Sequence, residues 1–317
     1  MRYSILLVSL AIACSPGHES QAQTPQLAIR YYRAGQEKMK NGDWVAATED
    51  FTKAIAVNAR LKTTTAKTHN REPFDESQSQ STEISVSDPL TAQAYVNRGA
   101  ALFHQAKFAE ALADYDRALR INPRLAPAYL GRGATLNVQG DRDGAVRDYN
   151  RALAIDERFS EAYNNRGALR YELGDLDGAM TDLDRAIAID GRLPEAYYHR
   201  GYVWLDKKNF TAGIADFNRA IELRPDDGLA LVGRGVGFMK QGQLELAVRD
   251  FSAAIELDSG IAPAYADRGL ALILIGRETE ALPDLKRFIE LKPEKKRELE
   301  LKVELAKKLK RGVTILP

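Results

Sequence analysis

Arg98, Arg132, Arg166, Arg200, Arg234 and Arg268 recur every 34 residues, and Asp114, Asp148, Asp182, Asp216, Asp250 and Asp284 follow them at a constant interval. A row of guanidinium groups could bind an anion. Matched one for one by carboxylates, it is instead expected to neutralise itself, because an unpaired buried charge is costly. Asp50 continues the acidic series upstream, where Ala34 stands in place of arginine. Other chemistry-bearing residues are scattered. His18, His69, His104 and His199 have no metal-ligand spacing, and the sequence contains neither a phosphate-cradling glycine loop after a strand nor a nucleophile elbow. Cys14 is the one cysteine, so an intramolecular disulfide and a multi-thiolate metal site are excluded. Lys+Arg number 45 and Asp+Glu 44, a net charge of +1 that offers no basic surplus for nucleic acid. The chain reads as a protein without catalysis or cofactor.

Elements of the same period must carry these ladders. Gly35, Gly99, Gly133, Gly167, Gly201, Gly235 and Gly269 share one register, with one gap of 64 residues and five of 34. Counting this glycine as repeat position 8, tyrosine or leucine stands at position 4 and alanine or glycine at position 20. Position 24 is aromatic or leucine, and position 27 is alanine until Phe288. The pattern resembles the tetratricopeptide repeat, a 34-residue helix–turn–helix unit with these residue types at these offsets. The resemblance implies an all-α solenoid, a right-handed superhelix of about seven repeats with a C-terminal capping helix. The repeats span 28–61, 92–125, 126–159, 160–193, 194–227, 228–261 and 262–295.

Glycine within a helix costs about 1 kcal/mol relative to alanine. The expected compensation is close helix approach, with the rings at positions 4 and 24 lying over the small residues at 8 and 20. Gly42-Asp43, Gly140-Asp141 and Gly174-Asp175 suit a turn, glycine ending one helix and aspartate starting the next. Lys208-Asn209 suits it less well, which predicts a looser fifth turn. Position 7, arginine here, is usually leucine in the family. An antiparallel hairpin brings position 7 to position 23, predicting a partly buried Arg–Asp bridge in each of these repeats.

Three segments depart from the period. Residues 62–91 are polar, rich in Ser, Thr and Gln, and are expected to form a disordered insertion. Glu294–Lys310 predicts a capping helix with Leu299, Leu301, Val303, Leu305 and Leu309 turned inward. At the start, Arg2 precedes an apolar run from Ile5 to Ala13 that is shorter than a membrane span, the pattern of an export signal. Ala11-Ile12-Ala13-Cys14-Ser15 resembles the bacterial lipobox, which implies cleavage of residues 1–13, lipidation of Cys14 and a linker over 14–27. Cleavage near Ala22 and release as a soluble protein is the alternative. The expected location is the bacterial cell envelope, facing the periplasm.

The resemblance implies a concave groove lined by the first helix of each repeat, holding a peptide or a partner protein. Its candidate contacts are Tyr32, Asn97, Phe103, Asn165, Tyr171, Tyr198, His199 and Tyr202. The family's Lys/Asn carboxylate clamp at positions 5 and 9 is absent: the first three repeats have Tyr32 and Gln36, Val96 and Ala100, and Leu130 and Ala134 there. A protein-binding scaffold is the first reading. Self-association into a homo-oligomer and service as a regulatory subunit of an envelope hydrolase or protease are the rivals.

Overall fold

The computed structural model describes residues 23–69 and 89–310, with side chains over 25–59 and 89–310. Cys14, the export signal and residues 70–88 of the insertion lie outside the described residues. Within them the protein is all-α: fifteen α-helices, one 3-10 turn and no strand. Packing divides it into two compact units, one ending at Asn165 and one beginning at Arg166.

The first unit contains α1 (Gln23–Lys40), α2 (Trp44–His69), α3 (Pro89–His104), α4 (Phe108–Ile121), α5 (Ala126–Val138), α6 (Arg142–Ile155) and the start of α7 (Ser160–Glu172). The second contains the rest of α7, α8 (Leu176–Ile189), α9 (Pro194–Asp206), α10 (Phe210–Leu223), α11 (Gly228–Lys240), α12 (Leu244–Leu257), α13 (Ala262–Leu274) and α14 (Glu278–Leu291). A 3-10 turn (Pro293–Lys295) and α15 (Lys296–Lys310) complete it. In each unit consecutive helices pack as hairpins, and each hairpin stacks on the next. This is the helix-pair stacking of a solenoid.

Part of the segment expected to be a disordered insertion is helical: α2 runs on to His69 and α3 begins at Pro89. Proline suits the first helical position, where its missing N–H would lack a partner in any case.

The helices pair closely because glycine leaves room. A Cβ on Gly35 would lie 2.8 Å from Phe51, one on Gly133 2.8 Å from Tyr149, and one on Gly235 2.6 Å from Phe251. These rings are fully buried, as are Ala47, Ala145 and Ala247 at position 20. Tyr31, Tyr95 and Tyr129 at position 4 pack against the clusters that hold Ala47 and Ala111, and position 4 makes a further contact as well. Tyr95, Tyr129, Tyr197 and Tyr265 lie against the guanidinium groups of Arg98, Arg132, Arg200 and Arg268, at 5.3 to 5.9 Å from the ring centre.

The turns are more uniform than the sequence suggests. Gly140 and Gly174 take φ of +91° and +83°, and Lys208 adopts the same left-handed conformation at +61°. The fifth turn is therefore not loose. Asn209 accepts a hydrogen bond from the Ala212 N–H at 3.2 Å, the role that Asp141 plays toward Gly144 at 2.8 Å. Stacking of the hairpin on its neighbours holds Lys208 in a conformation that non-glycine residues rarely adopt.

α15 packs on α13, with Leu299 and Ala306 buried and Val303 set against the cluster of Leu270, Leu272 and Ile273. Leu301, Leu305 and Leu309 are exposed, contrary to the inward orientation expected. Residues 299, 303 and 306 share one helical stripe, and 301, 305 and 309 fall on another.

Candidate functional site

The arginine ladder is built into the hairpins. Arg98 donates from Nε and Nη2 to the two carboxylate oxygens of Asp114, at 2.6 and 2.8 Å. The same two-point pairing joins Arg132 to Asp148, Arg166 to Asp182, Arg200 to Asp216, Arg234 to Asp250 and Arg268 to Asp284. All six aspartates are buried. Asp50, which has no arginine opposite it, is served by Lys38 at 2.7 Å and Lys53 at 3.5 Å.

A third arm was not anticipated. Nη1 of Arg98, Arg132, Arg200, Arg234 and Arg268 donates to Thr52, Asp116, Asp184, Asn218 and Ser252 respectively, at 2.7 to 3.0 Å. Each acceptor sits at position 25 of the preceding repeat, so one guanidinium ties three helices together. A signal existed in the sequence, since position 25 is short and polar from Thr52 through Ser252. The bonds to Asp216 and Asp184 hold Arg200 above the usual guanidinium range, although burial opposes them. These groups are consumed by the scaffold and leave no anion-binding row.

Groove candidates in the first unit are largely taken up by packing. Tyr32 and Asn97 are buried; the Tyr32 hydroxyl accepts from Asn97 Nδ2 at 3.0 Å and from Gln36 Nε2 at 3.2 Å. Burial pushes the Tyr32 hydroxyl up to about 12, with the Asn97 bond opposing. Phe103 is buried too, its ring 5.6 Å from Phe108 and 5.7 Å from His104. Burial thus contradicts the placement of Tyr32, Asn97 and Phe103 in an open groove: Tyr32 and Asn97 bond to each other across neighbouring hairpins, and Phe103 packs on Phe108 of its own. Asn165 is half-buried, and its side-chain oxygen accepts from Asn164 at 3.1 Å.

The second unit presents a different surface. Tyr198 and Tyr202, one turn apart on α9, are half-buried, with ring centres 5.1 Å apart and planes at 73°. Phe217 of α10 supports them from beneath, 5.1 Å from Tyr202 and 6.1 Å from Tyr198. Tyr171 on α7 donates its hydroxyl proton to Asp206 at 2.7 Å, which steadies a third ring. Burial raises the hydroxyl pKa of all three tyrosines, so they remain neutral. His199 sets its ring edge-on to Tyr198 at 5.1 Å, and burial pushes its imidazole down to about 4. The result is a rigid aromatic cluster that still meets solvent. Such surfaces bury large area at low entropic cost when a partner docks.

Among the described residues no group of three or more His, Cys, Asp or Glu side chains is placed to hold a metal ion, and no helix is long and apolar enough to cross a membrane.

Family models described as tetratricopeptide repeat match residues 92–125, 194–227 and 232–295, and a model described as TPR repeat matches 135–174 and 169–208. Together they cover more than half of the sequence. No curated protein matches the chain significantly. Among solved structures it is similar to a tetratricopeptide repeat protein from Parabacteroides merdae ATCC 43184, with 20% identity over 89% of this chain and 99% of that one and a TM-score of 0.58. It is similar as well to PilW, a widely conserved type IV pilus biogenesis factor, with 19% identity over 68% and 99% of the two chains and a TM-score of 0.60. PilF of Pseudomonas aeruginosa matches at 19% identity over 66% and 96%, with a TM-score of 0.58. At these identities the likeness is one of fold.

Proposed function

Because this chain belongs to the tetratricopeptide repeat family, we propose that it is a non-catalytic scaffold that holds a segment of a partner protein against the first-helix face of its second unit. The observation that carries this reading is the half-open cluster of Tyr171, Tyr198 and Tyr202 braced by Phe217, where Tyr32, Asn97 and Phe103 of the first unit are buried. Tyr198 and Tyr202 are the anchors. Arg2, the apolar run to Ala13 and Cys14 support export to the bacterial envelope with a lipid anchor at Cys14.

The test is recovery of the partner from native membranes with the tagged full chain. Tyr198→Ala/Tyr202→Ala abolishes co-purification of a partner identified with the wild type, whereas Arg120→Ala, on the exposed side of α4, leaves it unchanged. Undiminished recovery with the double variant refutes the aromatic anchor. For the envelope, Cys14→Ser shifts the protein from the membrane to the soluble fraction, and retention in the membrane refutes lipidation as the tether.

A further inference from the structure

At the far end of the second unit, Asp267 of α13 lines a cleft of about 310 Å³ bounded by α13, the end of α14, the 3-10 turn and α15. The walls are apolar, made by Ala262, Ala266, Phe288 and Leu299. The rim carries Lys292, Glu294, Lys295, Glu298 and Lys302.

Asp267 breaks the pattern of charge pairing seen elsewhere. Each aspartate at position 23 is buried and held by at least one cation, as in the pairs of Asp50, Asp216 and Asp250. Asp267 is half-buried, and among the described residues no side chain donates a hydrogen bond to it and no cation lies within 4.0 Å of it, Lys302 acting on it only from farther off. Lys302 and Lys295 are committed to Glu298, at 2.8 and 3.0 Å. A carboxylate partly withdrawn from water without a hydrogen-bond donor is disfavoured, and an approaching cation relieves that cost.

The walls define what else the ligand must be. A small hydrated cation would gain nothing from Ala262, Ala266 and Leu299, and a metal ion would need more than one ligating side chain. A long aliphatic stem would cover those walls, and a cationic head would reach Asp267 beside the Phe288 ring. An anion finds no net positive charge here, because Lys292, Lys295 and Lys302 are balanced by Glu294, Glu298 and Asp267.

We propose that this cleft receives a single long basic side chain, lysine or arginine, carried by the polypeptide that the second unit holds. The proposal rests on the reading of the protein as a peptide-binding scaffold and adds the chemistry of one residue of its partner. Asp267 takes the charge, and α13 and α15 grip the stem.

The experiment is an NMR titration of the isotope-labelled full chain with Nα-acetyl-arginine methylamide and Nα-acetyl-lysine methylamide. Nα-acetyl-norleucine methylamide and putrescine serve as comparisons. The capped basic residues are expected to give saturable shifts confined to α13, the 3-10 turn and α15. Asp267→Asn should weaken them about tenfold or more, the loss of a charge-assisted hydrogen bond, and Asp267→Glu should retain binding. Norleucine, with the stem but no charge, should not saturate. The inference is overturned if norleucine binds as well as arginine or if Asp267→Asn leaves the affinity unchanged. Tighter binding of putrescine overturns it too, by assigning the cleft to free amines. The cleft is read by probe shifts at α13 and α15 and the aromatic anchor by recovery of the partner, so failure of one and failure of the other are told apart.

Discussion

The guanidinium of Arg200 meets both carboxylate oxygens of Asp216 at 2.8 Å while its remaining arm reaches Asp184 of the preceding hairpin at 2.7 Å. The two partners are unequal. Asp216 is buried, and the Asp184 side chain is 54% exposed. Arg200→Ala, which strands the Asp216 charge, should therefore lower unfolding stability by about 3–5 kcal/mol. Asp184→Ala should cost only about 0.2–1 kcal/mol, as for exposed pairs. Urea denaturation of both variants checks this, and equal losses would contradict the assignment of Asp216 as the principal partner.

Gly235→Ala is expected to destabilise by about 1–3 kcal/mol, because the added methyl would meet the buried Phe251 ring at 2.6 Å. Helix propensity alone predicts the reverse, a gain of about 1 kcal/mol. The sign of the shift in melting temperature decides between contact and propensity.

Lys208→Gly should stabilise by about 0.5–1 kcal/mol. It relieves the left-handed backbone at φ +61°, and greater freedom of the unfolded chain returns part of that gain. A lower melting temperature would mean that the Lys208 side chain contributes more than the turn geometry costs.

Asp267 and His199 predict opposite slopes with pH. Burial pushes the Asp267 carboxyl up from 3.8 to about 6; of the charged groups around it, Lys302 opposes this, and Lys292, Lys295, Glu294 and Glu298 stand at the rim. Between those values the native state holds more protons than the unfolded chain, so stability falls as pH rises and the full penalty is present above about 6. Asp267→Asn should thus gain about 1–3 kcal/mol at neutral pH and nothing below the carboxylate range.

His199 runs the other way. Burial pushes its imidazole down from 6.5 to about 4, with Glu195 opposing. Its contribution is complete above 6.5 and is lost as pH falls toward 4. His199→Asn should flatten that limb. Denaturation midpoints at a series of pH values test both variants. A constant gain for Asp267→Asn across the range, or an unchanged slope for His199→Asn, would refute the corresponding assignment.

The residues that betrayed the fold are those whose contacts are local. Gly235 and Phe251, or Arg200 and Asp216, lie sixteen residues apart on one hairpin, so a turn of constant length brings them together whatever surrounds them. The groove was less legible. Tyr32 and Asn97 are joined by a hydrogen bond across 65 residues. Their periodic positions match those of Tyr198 and His199, and only the neighbouring hairpin decides that Tyr32 is buried where Tyr198 stays half-open.

By itself the sequence determined the 34-residue hairpin, its glycine–aromatic contact and its Arg–Asp bridge, since period and offset suffice for interactions within one repeat. Tertiary structure alone decided what stands between repeats. It decided the exposure of Tyr198 and Tyr202, the face on which α15 lies and the Asp267 carboxylate left without a hydrogen-bond donor beneath it. The physical reason is that stacking depends on the side chains of two adjoining units at once, and a repeat pattern specifies only one.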